Sequence, residues 1–376
     1  KALLSLLDEL NLSSEIQYAQ GSTDRYIYLH NHMHKLPKGP LSFLSSVLTR
    51  DLIFTIIREI TVRRTTYADE SVGEFIARRF GSKVLDRLFD PLVQGIYAVD
   101  PYKISIKSCF PFLKQLEDQH GSVVYGMIKQ IGKLKKCKNN QSALFSIHGG
   151  VEKIIKTIQS RLSSSIYCNQ KVLDLQFQAD KVIAKTENNT YTADFVFIAL
   201  PVKQAAKLLG HTNVQGLSYL ANMKNVGITS ALVGYPEKIL PYEGFGYLVS
   251  SKQQTDILGA VFDSNPFNKD HDKLQTRITV MLRGTNHVEE EKYKLVYHAL
   301  SSHLGIKKKP DLIQFIEAHD ALPVMEVGHE DRVLFLKSNI RKSLPRCYLL
   351  GNYLSGVSVN DCIRCSQETV LQWALS

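Results

Sequence analysis

The sequence predicts a mixed α/β protein with more than one lobe, and three observations support that fold class. The chain has 376 residues, which is enough for two or three hydrophobic cores. Residues 40–135 have a mainly helical pattern, whereas helices and strands alternate after residue 146. The stretch "FVFIALP" at 195–201 is continuously apolar, which is typical of a strand covered on both faces.

Charge and cysteine content exclude some classes of function. The net charge is +10, but the lysines and arginines are scattered, and the cluster "KLKKCKNN" at 133–140 is typical of a solvated loop. Nucleic acid is therefore not an expected partner. The six cysteines show no paired framework, which favours free thiols, and the C-x-x-C spacing of Cys362 and Cys365 lacks a thioredoxin-like context.

Membrane contact stays an open question at this stage. No apolar run approaches the roughly 20 residues of a membrane span, and no signal-peptide pattern begins at Lys1. However, the stretch "LSFLSSVLTRDLIFTIIREITVRR" at 41–64 is rich in apolar residues and ends in Arg63 and Arg64. It fits either a core helix pair or a helix that lies in the membrane interface.

Three histidines at alternate positions raise the question of a metal site. His30, His32 and His34 would share one face of a continuous strand and could converge like metal ligands. The stretch 25–37, "RYIYLHNHMHKLP", instead predicts a hairpin, because its first residues favour a strand and His30-Asn31 can form a tight turn. A turn there removes His30 from the shared face, so no metal is expected.

Two stretches of the first half predict helices with definite ends. Ser71 and Glu74 have capping-box spacing at the start of "SVGEFIARRF", whose apolar residues share one face. The following stretch, "KVLDRLFDPLVQG", keeps the helical period and is predicted to end at Gly95.

The second half predicts the elements of a nucleotide-binding α/β domain beside a sheet. A Gly-Gly turn at 149–150 leads into a helix whose inward residues should be Ile154, Ile155, Ile158 and Leu162. "ITSALVGY" and "ITVMLRG" predict strands, and a helix is expected around 289–304. A buried strand, a glycine turn at Gly356–Asp361 and a closing helix end the chain, an arrangement typical of dinucleotide sites.

Motifs for phosphate binding, nucleophilic catalysis and zinc are missing from the chain. "GFG" at 244–246 lacks the third glycine of G-x-G-x-x-G, and "HGG" at 148–150 lacks its spacing. No catalytic triad has diagnostic spacing, and neither zinc-hydrolase motif occurs. No catalytic side chain is therefore predicted, and a dinucleotide pyrophosphate would have to bind outside this sequence.

Six segments, taken together and in this order, carry a family resemblance. They are "RYIYLHNHMHKLP", "SVGEFIARRFGSKVLDRLFDPLVQGIYAVDP", "SIHGGVEKII", "DFVFIALP", "EGFGYLV" and "GNYLSGVSVNDCI". Their order and spacing over essentially the whole chain resemble the oxygen-dependent, FAD-containing protoporphyrinogen oxidases of the amine oxidase and phytoene desaturase group. The second and last segments are the most specific.

The resemblance implies an α/β fold with three parts. These are a partial FAD-binding, Rossmann-like domain that lacks its N-terminal βαβ unit, a sheet-rich substrate domain and a helical membrane-docking domain. The remaining FAD-binding parts would be 1–19, 140–211 and 344–376. The helical domain with its substrate hairpin would be 20–139, and the substrate domain 212–343.

The resemblance also implies an activity. Family members oxidise protoporphyrinogen IX to protoporphyrin IX in haem biosynthesis, with FAD as hydride acceptor and dioxygen as final acceptor. Because the flavin carries this chemistry, the protein has only to position and desolvate the substrate, which agrees with the missing triad. The implied location is cytoplasmic with peripheral attachment to the inner membrane. The resemblance leaves open whether the protein forms a homodimer.

Individual residues are implied by the same resemblance. Arg25 matches an arginine that faces a substrate propionate, a role that suits a forked guanidinium. Gly95 matches a pocket glycine. The other matched positions are the macrocycle contacts Leu232, Leu248 and Phe267, the adenine-end valine Val172, and the isoalloxazine segment Val357, Ser358 and Val359.

The sequence departs from the family pattern in places. Val99 replaces a usual glycine, which should narrow the pocket, and Ala318 and Val324-Met325 replace a usual tryptophan and Gln-Tyr. The family's N-terminal βαβ unit with its glycine fingerprint should precede Lys1. We therefore expect this stretch of sequence to bind FAD poorly by itself and to be inactive without that segment.

Other functions remain open from the sequence. A coproporphyrinogen III oxidase would differ in the number of carboxylates that its pocket must neutralise. An amine oxidase or carotenoid desaturase, and a non-catalytic remnant docked on a membrane, are the further alternatives.

Overall fold

The chain folds into two compact units. The computed structural model describes residues 2–38, 42, 45–46, 48–134, 144–267 and 274–374, so most of the basic cluster at 133–140 lies outside the described residues. The first unit comprises Lys1–Ile16, Ile147–Lys224 and Gly328–Ser376, and the second comprises Gln17–Ser146 and Asn225–Val327.

The described residues between 50 and 134 contain helices with no strand among them, and helices and strands mix after residue 144, as the sequence predicted. The described α-helices are α1 Ala2–Glu9, α2 Ile53–Glu59, α3 Val72–Phe80, α4 Ser82–Val84, α5 Asp90–Tyr97, α6 Ile106–Cys109, α7 Pro111–His120, α8 Val123–Leu134, α9 Glu152–Arg161, α10 Val202–Leu209, α11 Leu217–Ala221, α12 Glu289–His298, α13 His329–Ser343, α14 Asn352–Ser355 and α15 Val359–Ala374. The strands are β1 Ile16–Tyr18, β2 Arg25–Leu29, β3 His32–Lys35, β4 Phe145–Ile147, β5 Asp174–Phe177, β6 Val182–Lys185, β7 Thr190–Ala193, β8 Val196–Ile198, β9 Asn225–Tyr235, β10 Gly246–Val249, β11 Ile257–Val261, β12 Thr276–Arg283, β13 Leu312–Pro323 and β14 Cys347–Leu349.

A seven-stranded sheet forms the centre of the second unit. Its strand order is β13-β9-β12-β11-β10-β2-β3, and β10 and β2 run parallel while the other neighbours are antiparallel. One face packs against α12 and the π-helical turn Ala299–His303, with fully buried Val280, Leu282 and Val296 in its core. Alternate residues along each strand point away from this core.

The helical part of the second unit contains a buried ion cluster. The predicted capping box is confirmed, because Ser71 Oγ accepts from the Glu74 amide and the Glu74 carboxylate accepts from the Ser71 amide. On the same helix, α3, Arg79 is fully buried and donates to Glu59 at 2.8 Å and to Glu117 at 2.7 Å. Burial of these charges is tolerated because each is paired.

The prediction that the helix ends at Gly95 was wrong. Helix α5 continues to Tyr97, and Ala98 closes it in the left-handed region at φ 54°. Gly95 lies inside the helix. Its lack of a side chain leaves room for Leu248 of the sheet below. A glycine that serves a close contact was therefore mistaken for a stop signal.

The first unit contains a parallel strand pair and a small antiparallel sheet. Strands β8 and β14 pair in parallel, and β5, β6 and β7 form a three-stranded meander. Helices α10, α13 and α15 contribute fully buried residues to its core, among them Leu209, Leu336 and Cys365. The prediction of a buried strand, a glycine turn and a closing helix at the end of the chain is confirmed.

Only part of the predicted inward face of α9 is buried. The Gly-Gly turn is confirmed, since Gly149 and Gly150 have φ values of 85° and 88°. Ile154 is buried as predicted and Ile158 half-buried, but Ile155 is 63% exposed and Leu162 50% exposed. The helical period predicts which residues share a face, but not whether another element covers that face. Among the described residues, no neighbour covers the part formed by Ile155 and Leu162.

The predicted hairpin is confirmed. Strands β2 and β3 pair from Tyr26 with Lys35 to Leu29 with His32, and His30 and Asn31 occupy the turn with positive φ values. His30 therefore does not share a face with His32 and His34, whose ring centres lie 6.4 Å apart. The C-x-x-C cysteines lie on α15 as free thiols.

Helix α2 and the residue after it expose three apolar residues of the stretch that was open between two interpretations, whereas Leu48 and Leu52 of that stretch are buried. Phe54 is 83% exposed, Ile57 60% and Ile60 49%, so these side chains do not belong to a core. Among the described residues, no helix is both long and apolar enough to cross a membrane.

Candidate functional site

One face of the seven-stranded sheet carries most of the residues expected at the substrate. Residues that pair directly across neighbouring strands point to the same face. The pairing register places one such row across β2, β10, β11, β12 and β9, and Leu248 lies on the same face two residues along β10. We call this surface the row face; the row comprises Arg25, Gly246, Val261, Thr279 and Leu232.

The row face is accessible, unlike the opposite face of the sheet. Leu232, Leu248, Val261 and Thr279 are all half-buried, whereas their strand neighbours on the other face are core residues. Between Arg25 and Leu232 the row itself is aliphatic apart from one threonine hydroxyl. Such a surface suits a flat apolar ligand with few polar groups.

Arg25 provides a cation at one end of this row. It is exposed at the start of β2, and its guanidinium carbon lies 5.8 Å from the centre of the Phe245 ring. The neighbouring Asp24 is not its partner, because Lys35 and Lys38 bind that carboxylate. Among the described residues, no carboxylate lies within ion-pair distance of Arg25, so its guanidinium is available to an anionic ligand.

Gly246 keeps the row open beside Arg25. It has a φ of 152°, and a Cβ at this position would lie 2.2 Å from the carbonyl oxygen of Ala260. Only glycine fits this close approach of two strands. The absence of a side chain leaves the surface between Arg25 and Val261 free.

Gly95 and Leu248, two residues implied by the resemblance, are in direct contact. A Cβ on Gly95 would lie 2.3 Å from Cδ2 of Leu248, well inside van der Waals contact. The structure therefore brings Gly95, Leu248, Leu232 and Arg25 to one face of one sheet.

Helix α5 is held on the row face at both ends. At its start, buried Asp90 accepts hydrogen bonds from Ser250 Oγ at 3.0 Å and from the Ser251 amide at 2.8 Å. At its end, Arg283 of β12 donates to Gln94 Oε1 at 2.6 Å and to the carbonyl oxygen of Ala98. These bonds fix the position of Gly95 above Leu248.

A carboxylate on the row face was missed by sequence reasoning. Asp263 follows β11, and its carboxylate accepts a hydrogen bond from Thr279 Oγ1 at 2.7 Å. Burial raises its pKa, while the Thr279 hydrogen bond and the nearby Arg277 charge lower it, and burial prevails. The only available signal was the strand register, which a single sequence does not reveal.

The remaining substrate-side positions are more dispersed. Phe267 is half-buried in the turn after β11, at the last described residue before 274. Val99, Val324 and Met325 are buried, whereas Ala318 is exposed on β13. None of these side chains lies in the row defined above.

The cofactor segment belongs to the first unit. Val357 and Ser358 precede α15, and Ser358 Oγ accepts from the Asp361 amide at 3.1 Å, so it caps that helix. Val359, the first helical residue, is 55% exposed. Val172 is 39% exposed and lies two residues before β5, outside the strand on which it was expected.

These residues fit a flavin by their chemistry. The hydroxyl of the fully buried Tyr353 has no hydrogen-bond partner among the described residues. Gly351 and Gly356, on either side of it, have φ values of 149° and 146° and present backbone without side chains. An unpaired hydroxyl, open backbone and the exposed Val359 at a helix N-terminus suit a ligand with polar edges and an apolar ring.

Comparison with known proteins identifies the class. The family described as flavin containing amine oxidoreductase matches residues 1–369, and the chain belongs to that family. It is an oxidoreductase with FAD as its cofactor. A solved cyclohexylamine oxidase from Brevibacterium oxydans has the same fold, with a TM-score of 0.67 at 13% identity over 99% of this chain and 84% of that chain.

Curated relatives are more specific in name. Protoporphyrinogen oxidase from Bos taurus is 28% identical over 398 residues, which cover 97% of this chain and 83% of the relative. Coproporphyrinogen III oxidase from Bacillus subtilis is 26% identical over 361 residues, which cover 90% of this chain and 76% of the relative. A solved protein from Exiguobacterium sp. 255-15, provisionally assigned as a protoporphyrinogen oxidase, has a TM-score of 0.82 at 20% identity over 99% of this chain and 84% of that chain.

Proposed function

We propose that this protein is an FAD-dependent protoporphyrinogen oxidase, which converts protoporphyrinogen IX to protoporphyrin IX with dioxygen in haem biosynthesis. The observation that carries the proposal is the row face, an accessible aliphatic surface with one uncompensated arginine at its end. A porphyrinogen has a broad apolar ring system with carboxylates on one side, so its chemistry complements this surface. The names of the relatives point the same way.

In this proposal the second unit binds the substrate. Leu232, Leu248 and Val261 would contact the macrocycle, and Arg25 would bind a propionate through paired hydrogen bonds. Gly95 would keep Leu248 low enough for the ring to approach. Phe267 is retained as a further contact at the edge.

The first unit binds the cofactor in this proposal. Val357, Ser358 and Val359 would flank the flavin ring, and Val172 would meet the adenine end. Bound FAD supplies hydride acceptance, and dioxygen is the final acceptor. The protein residues position the substrate and exclude water. The proposed reaction therefore needs no catalytic acid or base from the protein.

The charge on the row face favours a substrate with two carboxylates over one with four. The described strands place Arg25, Arg277 and Arg283 on this face. Arg277 lies near the Asp263 carboxylate, and Arg283 lies 3.9 Å from Asp256, which leaves Arg25 as the uncompensated charge. Coproporphyrinogen III oxidation is the second candidate because two bacterial relatives carry that name. A cationic amine substrate would be repelled by Arg25.

Peripheral membrane contact completes the proposal. Helix α2 exposes Phe54, Ile57 and Ile60, with Arg58, Arg63 and Arg64 exposed nearby. Aromatic and aliphatic side chains beside arginines are typical of a helix that lies in the interface of an anionic membrane. The proposed location is the cytoplasmic face of the inner membrane.

The role of Arg25 is tested with the flavin-loaded enzyme. Arg25→Met should raise KM for protoporphyrinogen by about tenfold and leave kcat within about twofold, because a uniform binding contact is lost. Arg25→Lys should have a smaller effect, since it keeps the charge without the fork. Arg87→Met is the matched control, because Arg87 already pairs with Asp51 at 2.7 Å. An unchanged KM in Arg25→Met would remove Arg25 from the proposed site.

A further inference from the structure

A cleft in the first unit lies between two helices and a strand edge. Its volume is about 410 Å³, within the range of about 300–1,000 Å³ for small-molecule sites. Helices α13 and α15 form its walls, and β14, which pairs only with β8 among the described strands, forms its floor. We call it the α13–α15 cleft; it is lined by Leu334, Lys337, Ser338, Ile340, Arg341, Pro345, Cys347, Tyr348, Leu349, Thr369 and Gln372.

The charges in the α13–α15 cleft are all positive. Lys337 and Arg341 lie one helical turn apart on α13, so both point to the same side. Among the described residues, neither has a carboxylate within ion-pair distance. No acidic residue lines the cleft within the part of the chain that the structure describes. Two uncompensated cations on one wall create a site for an anion.

The rest of the lining divides into polar and apolar parts. Ser338 lies on α13 beside the cations, and Thr369 and Gln372 face the cleft from α15 at helical spacing. Leu334, Ile340, Pro345 and Leu349 supply the apolar surface. A ligand that uses the whole cleft therefore needs a charged head and an apolar body.

We propose that the α13–α15 cleft binds a small amphipathic carboxylate. The carboxylate would bind Arg341 and Lys337, and the hydrocarbon part would lie on the leucine and proline surface. An arginine fork matches a carboxylate in geometry, and the adjacent ammonium adds a second charged hydrogen bond. This binding site is separate from the residues proposed above for porphyrinogen and flavin, and it does not depend on that function.

Isothermal titration of the full protein with dodecanoate, below its micelle-forming concentration, tests the proposal. We expect saturable binding at one site, and at least a tenfold loss of affinity in Lys337→Met/Arg341→Met. Lys342→Met is the matched control, because this neighbouring lysine is exposed and outside the lining. The affinity of this variant for dodecanoate should stay within about twofold of that of the unmodified protein. Ser338→Trp should also abolish binding, because it fills the cleft without changing the charge.

Three results would overturn the proposal. They are no saturable binding of dodecanoate, equal affinity in the double variant, and equal affinity for uncharged dodecanol. Circular dichroism of each variant separates loss of binding from loss of fold. Turnover of porphyrinogen should not change in the double variant, so the outcome here is independent of the proposed activity.

Discussion

At the scale of single residues, the neighbours of Arg25 determine how accessible its guanidinium is. Its neighbour Asp24 is occupied by two lysines, and Gly246 in the next strand has no side chain. Both features leave the guanidinium accessible above an aliphatic surface. The local arrangement therefore supports a ligand-binding role over a surface ion pair.

Substitution of Gly95 tests whether the contact with Leu248 shapes the site. In Gly95→Ala the new Cβ would overlap Leu248 Cδ2 at 2.3 Å, so the leucine side chain must move away from α5 and change the surface of the row face. Overpacking typically costs about 1–3 kcal/mol, and we expect KM for protoporphyrinogen to rise about tenfold. Leu248→Ala in the same protein should restore part of the affinity. Steady-state kinetics measures both, and an unchanged KM in Gly95→Ala would contradict the contact's role.

Asp24 should make stability depend on pH in the acidic range. Burial opposes its ionisation, but hydrogen bonds from Lys35, Lys38 and Ser22 prevail and lower its pKa to about 2. A depressed pKa stabilises the fold above the unfolded value of about 3.9, and that contribution is lost as pH falls towards 2. Because the lysines are largely exposed, we expect Asp24→Asn to cost only about 1 kcal/mol at pH 7.

Urea unfolding at several pH values measures this effect. The difference in free energy of unfolding between Asp24→Asn and the unmodified protein should be constant from neutral pH to about pH 5, should decrease below that and should vanish near pH 1. Lys294→Met, which breaks an exposed pair with Glu290, serves as the control and should show little effect. An undiminished difference at pH 1, where the carboxyl is protonated in both states, would exclude the ionised carboxylate as its cause.

At this scale, the sequence predicted some residues of the candidate site and not others. The resemblance identified Arg25, Gly95, Leu232 and Leu248, which the structure places on one face. Thr279 and Asp263 were missed because their proximity depends on the register of distant strands. Single residues matched by motif are therefore recoverable, whereas partners across a sheet are not.

At the scale of elements, helix α2 shows why burial cannot be predicted from composition alone. Its apolar residues fitted either a core or a membrane surface. The structure leaves Phe54 and Ile57 exposed, while Glu59 of the same helix is buried against Arg79. The charged residue faces inward because it has a partner there, which reverses the usual pattern.

Flotation with vesicles that contain phosphatidylglycerol tests membrane contact through α2. The unmodified protein should float with the vesicles, and Phe54→Ser/Ile57→Ser should remain in the soluble fraction, because both side chains would insert into the interface. Val288→Ser is the control, since Val288 is 69% exposed at the start of α12. Flotation of the double serine variant at the unmodified level would show that α2 is not the contact.

Helix ends and helix faces differ in how well the sequence predicts them. The capping box at Ser71 is local, so the start of α3 was predicted correctly. The end of α5 was not, because Gly95 serves a contact with a strand far away in the chain. The outer face of α9 was misjudged for a similar reason, since burial depends on which neighbours are present.

At the scale of the whole molecule, the α/β class and the alternation of elements were predicted from pattern and length. The seven-strand order was not, because it adds a hairpin from residues 25–35 to the edge of a sheet whose other strands come from 225–323. Only the family resemblance linked these distant segments. Membership of the flavin-containing amine oxidoreductase family is now established for residues 1–369.

The most direct test of the proposed function is turnover of two porphyrinogens by the flavin-loaded protein under air. Fluorescence of the porphyrin product measures both reactions. The proposal predicts that kcat/KM for protoporphyrinogen IX exceeds that for coproporphyrinogen III by at least about tenfold, because Arg25 is the uncompensated cation on the row face. Faster oxidation of coproporphyrinogen III, or no porphyrin from either substrate with flavin bound, would contradict it.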